Sequence, residues 1–110
     1  MSDVVKEIEM SMEITKKKID IQDCLNRLSK NTDFKKFILE GFCKDHALGL
    51  IAKKVSPNFQ DDMNKSYIEG QLSAVGHLQL YMRFVQQEGE MAKESLKTAE
   101  EERSRALEEI

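Results

Sequence analysis

The stretch that decides the fold is residues 58–110, NFQDDMNKSYIEGQLSAVGHLQLYMRFVQQEGEMAKESLKTAEEERSRALEEI, which contains no proline and three glycines. It follows Ser56-Pro57, where the single proline of the chain stands. A serine at the N-cap and a proline at the first helical position are typical of a helix start. One helix over this stretch would be ~80 Å long at 1.5 Å per residue, whereas a globule of this chain length is about 30 Å across. We therefore expect a helix that bends, projects into solvent or lies against another chain.

Two further helices precede this stretch. Residues 3–29 carry two overlapping apolar tracks at spacings of three, four and seven, which predict an amphipathic helix; the tracks are Val5, Ile8, Met12, Ile19 and Ile14, Ile21, Leu25, Leu28. Asn31 or Thr32 is a suitable cap for a second helix over residues 33–55. Its apolar stripe is expected to form the centre of the core: Phe34, Phe37, Ile38, Phe42, Leu48, Ile51, Ala52 and Val55. An interior glycine disfavours a helix by ~1 kcal/mol, so a kink or break is expected near Gly41.

The third helix is expected to begin at Pro57 or Asn58 and to bury a stripe of eight residues: Met63, Tyr67, Ile68, Leu72, Val75, Leu78, Met82 and Val85. The packing of the whole protein is expected to depend most on Phe37, Phe42, Leu72, Leu78 and Phe84. Gly89 marks a candidate break, after which apolar residues are sparse. We therefore divide the chain into a helical core domain, residues 1–87, and a polar, acidic helical extension, residues 88–110.

These patterns predict an all-α protein with three main helices in a small bundle or hairpin. The C-terminal helix is expected to be very long and to project or pack on another subunit. An isolated helix as polar as residues 88–110 is marginal in water, so we expect a partner to hold it in place.

Composition disfavours several classes of function. The net charge is −3, and residues 88–110 carry eight acids against four bases, so nucleic acid is not an expected partner. No apolar run approaches the ~20 residues of a membrane span, and the first residues do not resemble a signal peptide. Cys24 and Cys43 are expected to be reduced, buried thiols of an intracellular protein.

No constellation in the sequence supports catalysis, a metal site or a cofactor. Cys43 and His46 are three residues apart, but Cys24 and His77 stand alone, whereas structural zinc sites use two close-spaced ligand pairs. We therefore expect a non-enzymatic protein without cofactors. The run Lys16, Lys17, Lys18 is expected on a solvated helix face, and the alternative is that it contacts an anion.

The chain resembles small helical proteins of tailed bacteriophages over roughly residues 25–110. Three segments carry the resemblance: residues 37–50, FILEGFCKDHALGL, followed by Ser56-Pro57; the spaced set Leu72, Val75, Leu78 and Tyr81; and Gly89-Glu90-Met91-Ala92. The resemblance implies a protein from the virion-assembly gene region, located in the host cytoplasm during assembly or in the virion. It implies no active site.

The sequence thus predicts a structural or assembly protein that oligomerises or docks on capsid, portal or tail proteins through its helices. The candidate interface residues are Phe84, Met91, Leu96, Leu107 and Ile110. The alternative is a phage-encoded inhibitor or ligand sponge that acts on a host enzyme or defence signal, for which Lys16, Lys17 and Lys18 would contact the anion.

Overall fold

A computed structural model describes residues 2–109, with side chains from residue 3. Three helical stretches cover residues 2–29, 32–55 and 62–108, and no strand occurs among the described residues. Helix α1 is Ser2–Ser29, and α2 is the single turn Thr32–Phe34. A π-helix, Lys35–His46, leads into α3, Ala47–Val55; a 3₁₀ turn, Pro57–Phe59, precedes α4, Asp62–Glu108. The all-α class and the very long last helix are confirmed.

Side-chain caps mark the helix starts. The side-chain oxygen of Asn31 accepts a hydrogen bond from the Phe34 backbone N–H at 2.9 Å, which caps α2. Ser56 caps only the 3₁₀ turn, by accepting from the Asn58 N–H. The long helix begins later than expected, at Asp62, where the Asp61 carboxylate accepts from the Asn64 N–H at 3.2 Å. Serine followed by proline therefore starts a short turn, and the aspartate starts the helix.

The π-helix changes which residues of the second helical stretch are buried. The chain stays helical through Gly41, so it does not break there, but the helix is a π-helix at this position and becomes an α-helix at Ala47. Hydrogen bonds from residue i to i+5 give more residues per turn than an α-helix, so faces assigned with a period of 3.6 lose their phase. Phe37 is 76% exposed, and Leu48, Ile51 and Val55 are exposed as well, whereas Leu50 is buried. Ala52 is exposed too, so the predicted core stripe is wrong at five of its eight positions.

Contacts divide the chain into two compact units. The first unit comprises residues 1–26 and 84–110, which lie antiparallel: Gln22 contacts Gln86 and Glu90, and Ser11 lies beside Thr98. Its core repeats at spacings of three and four on both helices. The members are Ile8, Met12, Thr15, Ile19 and Gln22 on α1, and Val85, Gly89, Ala92, Leu96 and Ala99 on α4; all are buried or half-buried. We call this heptad-spaced contact the seam.

The seam accounts for the polar C-terminal residues. Helix α4 continues through Gly89 without a break, and residues 84–108 pack on the first helix of their own chain. The expectation that a separate partner must hold residues 88–110 is therefore wrong. On α1, the track Val5, Ile8, Met12, Ile19 faces the seam, whereas Ile14, Ile21 and Leu28 are exposed.

The second unit comprises residues 27–83, and Leu50, Ile68 and Val75 are its buried residues. Leu72, Leu78 and Met82 are half-buried, as the sequence predicts in part. Met63 and Tyr67 were expected in the same stripe but are 83% and 64% exposed. Tyr67 directly precedes Ile68, and one residue rotates a helix by about 100°, so both cannot face the same core. None of the helices in the described part of the chain is long and apolar enough to cross a membrane.

Candidate interaction surfaces

A second heptad-spaced set of residues lies on α4 in the second unit, outside its core. We call it the second stripe; its members are Met63, Tyr67, Gly70, Ala74, His77 and Tyr81, and all are exposed. The spacing alternates between four and three residues, as in a helix face that packs on another helix. From Tyr67 onward each member directly precedes an inward-facing residue, so the second stripe is rotated by about 100° from the core face.

The second stripe runs through a segment that is nearly free of charge. Residues 66–82 contain one charged residue, Glu69, although 34% of the chain is charged. Leu80, which is 58% exposed, widens the stripe next to Tyr81. Large exposed apolar side chains in a contiguous patch mark interaction sites on soluble proteins. A solvated helix face of this protein would be expected to carry several charges.

Nothing within its own chain requires a glycine at position 70. A Cβ built at Gly70 meets nothing within 4 Å, and glycine disfavours an exposed helix by ~1 kcal/mol relative to alanine. Gly70 and Ala74 form a shallow step between the larger side chains of Tyr67 and His77. A small step of this kind permits another helix to approach closely.

Other apolar rows are also exposed. Leu48, Ile51 and Val55 form one on α3 in the second unit. Met10, Ile14 and Ile21 form another on α1 in the first unit. These side chains follow helical spacings of three, four and seven. Neither row is as long or as free of charge as the second stripe.

The candidate interface residues differ in their exposure to solvent. Phe84 and Met91 are exposed on α4, at the seven-residue spacing that also joins Met63, Gly70 and His77. Leu107 is exposed near the end of α4. Leu96 is half-buried in the seam, and Ile110 lies outside the described residues.

The seam contains a buried polar layer centred on Gln22. Gln22 is 1% exposed, and its side-chain nitrogen donates to the Gln86 backbone carbonyl at 3.2 Å and to the Gln86 side-chain oxygen at 3.1 Å. The same nitrogen donates to the Glu90 carboxylate at 2.7 Å, while Gln22 Oε1 accepts no hydrogen bond from the described residues. Gln86 in turn donates to Asn26 at 2.7 Å.

Gly89 provides the space for this layer. A Cβ at residue 89 would lie 2.5 Å from Gln22 Cβ and closer still to the end of the side chain. A shift of the seam by seven residues would place Gln22 opposite Met82 or Leu96, whose large side chains leave no such space. Gln22 and Gly89 therefore fix the register of the seam. Gln22 and Gly89 stand at the seven-residue spacing of the seam. They do not stand out in a track of apolar residues, because neither has an apolar side chain.

Two acidic groups in the structure have lowered pKa values. Hydrogen bonds from Gln22, and then from Lys93, lower the pKa of Glu90 below its usual 4.5. Hydrogen bonds from Asn64 lower the pKa of Asp61 below 3.8. In both cases the hydrogen bonds lower the pKa because they favour the charged form of the carboxylate. Both groups support the fold, and Glu90 also lines a shallow groove of about 410 Å³ together with Gln86, Gln87 and Met91.

The candidate anion contact has one member already paired. Lys16, Lys17 and Lys18 are exposed on α1, and Lys18 lies 3.4 Å from the Glu88 carboxylate. The predicted solvated face agrees with this exposure. Lys16 and Lys17 belong to the first unit, whereas the second stripe belongs to the second unit.

The chemistry-bearing side chains remain apart. Within residues 2–109, no group of three or more His, Cys, Asp or Glu side chains has metal-site geometry. Cys43 is half-buried in the π-helix, whereas Cys24 is exposed, so its predicted burial is wrong. The His46 ring stacks on Phe42 with centroids 5.6 Å apart. A shallow groove of about 710 Å³ runs beside the π-helix and is lined by Asp33, Lys36, Phe37, Ile38, Gly41 and Phe42.

Comparisons with models of protein families, with curated proteins and with solved structures find no match to this chain.

Proposed function

We propose that this chain is a non-enzymatic assembly protein that acts by helix-to-helix association through the second stripe. The observation that carries the proposal is an exposed, heptad-spaced face of α4 with one charged residue in the 17 positions from 66 to 82. Packing at this spacing is characteristic of a helix that contacts another helix along its length. An amphipathic helix turns its charged face to solvent and its apolar face to a packing partner. The second stripe has the composition of a contact face.

The size of the second stripe supports a specific contact. Met63, Tyr67, Leu80 and Tyr81 are each between 58% and 83% exposed. At roughly 200 Å² for a large side chain, the four expose roughly 500 Å². Two such faces bury about 1,000 Å² in total, which is at the lower limit for a specific protein interface. The area therefore fits a contact between small proteins.

Light scattering on matched variants tests the association. Tyr81→Glu would place a charge in the second stripe and remove about 120 Å² of apolar contact, or about 3 kcal/mol per copy. Gln79→Glu adds the same charge on an exposed position of α4 that points away from the stripe. We expect the wild type and Gln79→Glu to have a mass above one chain of 12.7 kDa. We expect Tyr81→Glu to associate at least about 100-fold more weakly, with unchanged helix content.

The proposal fails if all three proteins have the mass of one chain at every concentration. It also fails if Tyr81→Glu and Gln79→Glu associate equally well, because the contact would then lie elsewhere.

The setting that we propose is virion assembly in a tailed bacteriophage, with capsid, portal or tail proteins as further partners. This part of the proposal rests on the sequence resemblance of residues 25–110. Quantitative mass spectrometry of purified virions tests it. A fixed copy number per particle is the expected result, and absence from particles throughout assembly would contradict it.

A further inference from the structure

We infer that the second stripe pairs with the second stripe of another copy, antiparallel, about a two-fold axis between residues 75 and 76. The inference rests on the proposed function and specifies its partner. It commits to a second copy of this chain because one part of the stripe is complementary to another part at that register. Gly70 and Ala74 are small, and His77 and Tyr81, which follow on the same face, are large.

A two-fold interface brings the same patch of each copy together, so that residue i contacts j and j contacts i. In the antiparallel register about residues 75 and 76, Tyr81 of one copy lies over Gly70 of the other, and the reverse contact follows from symmetry. Ala74 lies beside His77 of the second copy. Each large ring thus meets the place where the backbone is least covered, since a Cβ at Gly70 would meet nothing in its own chain.

A parallel pair fits less well. It places Gly70 against Gly70 and Ala74 against Ala74, while Tyr67 meets Tyr67 and Tyr81 meets Tyr81. The tyrosines would then hold the helices apart around an unfilled gap, and an interface with such a gap loses packing contacts. The antiparallel pair also sets the two helix dipoles in opposite directions.

Charge is consistent with self-association of this face. Like charges facing each other across a symmetric contact would oppose association. From residue 66 to 82 the single charge is Glu69, which directly follows Ile68 of the core face and does not belong to the stripe. The register sets Gly70, Ala74, His77 and Tyr81 against the same four residues of the other copy, and none of them is an Asp, Glu, Lys or Arg. A second copy therefore covers this part of the stripe without burying a charge.

Disulfide trapping tests the orientation and the register. The two native cysteines are first replaced (Cys24→Ala and Cys43→Ala), and circular dichroism and light scattering check that fold and mass are retained. Ala74→Cys and His77→Cys are then prepared separately in this background, mixed, and oxidised mildly. A disulfide requires Cα atoms within about 7 Å. We expect the mixture to form disulfide-linked dimers about tenfold faster than either variant alone.

A mixture of Ala74→Cys with Gln79→Cys is the matched control, because residue 79 is exposed on α4 but off the stripe. The inference is overturned if Ala74→Cys alone cross-links as fast as the mixture, which is the result of a parallel pair. It is also overturned if the control mixture cross-links equally fast, or if a different protein but no second copy binds the stripe. In those cases an assembled wild type would leave the proposed function intact. A wild type with the mass of one chain would contradict both.

Discussion

Substitution of Gly89 by alanine is the sharpest perturbation of the seam, because two opposing effects can be compared in magnitude. Alanine is favoured over glycine in a helix by ~1 kcal/mol. Against this, the new Cβ would lie 2.5 Å from Gln22 Cβ, which belongs to the stem of that side chain. Overpacking of this kind costs about 1–3 kcal/mol. Displacing Gln22, which is 1% exposed, would also leave its amide without acceptors, at about 1–3 kcal/mol.

The two costs exceed the gain, so we expect Gly89→Ala to lower the free energy of unfolding by about 2 kcal/mol and the melting temperature by roughly 10 °C. Gly76→Ala is the matched control on the same helix, since a Cβ there meets nothing within 4 Å. The control should be neutral or stabilising by up to ~1 kcal/mol. Urea titration followed by circular dichroism, at one fixed protein concentration, measures both variants.

A double-mutant cycle separates this contact from a general effect on the helix. Gln22→Ala removes the side chain that the new methyl group would meet, so Gly89→Ala should become neutral or stabilising in the Gln22→Ala background. The reasoning is refuted if Gly89→Ala stabilises the protein as much as Gly76→Ala does. It is also refuted if Gly89→Ala costs the same with and without Gln22.

Three further predictions concern the caps, the charges and the C-terminal helix. The hydrogen bond from Gln22 lowers the pKa of Glu90 below 4.5, so the stability that it contributes is present above that pH and is lost as pH falls through the folded-state pKa; NMR titration should show this lowered pKa, and Gln22→Ala should raise it toward 4.5. Asn31→Ala should lower the free energy of unfolding by about 1 kcal/mol in urea titration because it removes a helix cap; an unchanged midpoint would contradict the assigned cap. Deletion of residues 88–110 would uncover the apolar track around Met12, so α1 should lose helix content by circular dichroism, and retention of its full helicity would show that the seam does not support it.

Much of the fold could be predicted because its signals are local. Proline and glycine are rare after Pro57, and this rarity predicts the long last helix. Asn31 is a good cap by its chemistry alone. The sequence predicted the start of α4 too early because both Ser56 and Asp61 can cap a helix. The choice between them depends on a turn that Gln60 stabilises by donating hydrogen bonds to the Lys54 and Ser56 carbonyls.

The burial pattern was harder to predict because it depends on tertiary context. The π-helix shifts the faces of the second helical stretch, so Phe37 is exposed although its spacing fits an α-helical stripe. Gln22 is the most buried polar residue described, yet a search for apolar tracks passes over it. Its signal is indirect: a glutamine at a seam position and a glycine at a seam position of the facing helix.

The candidate surface could be predicted in kind but not in detail. The breadth of the apolar pattern around Leu80, Tyr81 and Phe84 indicates a helix with more than one contact face. The sequence alone did not divide that pattern into a core face and the second stripe. The exposure of Met63 and Tyr67 makes this division, because it shows which of two adjacent faces the chain itself covers.

An isotope-filtered NOE experiment tests the central claim most directly. Labelled and unlabelled wild-type chains are mixed, and transfer is measured between the Tyr81 ring of one copy and the Gly70 α-protons of the other. Within one chain these residues are 11 positions apart on one helix, or roughly 16 Å, which is too far for transfer. The account predicts an intermolecular NOE between them. Its absence from a sample whose mass is that of two chains would contradict the account.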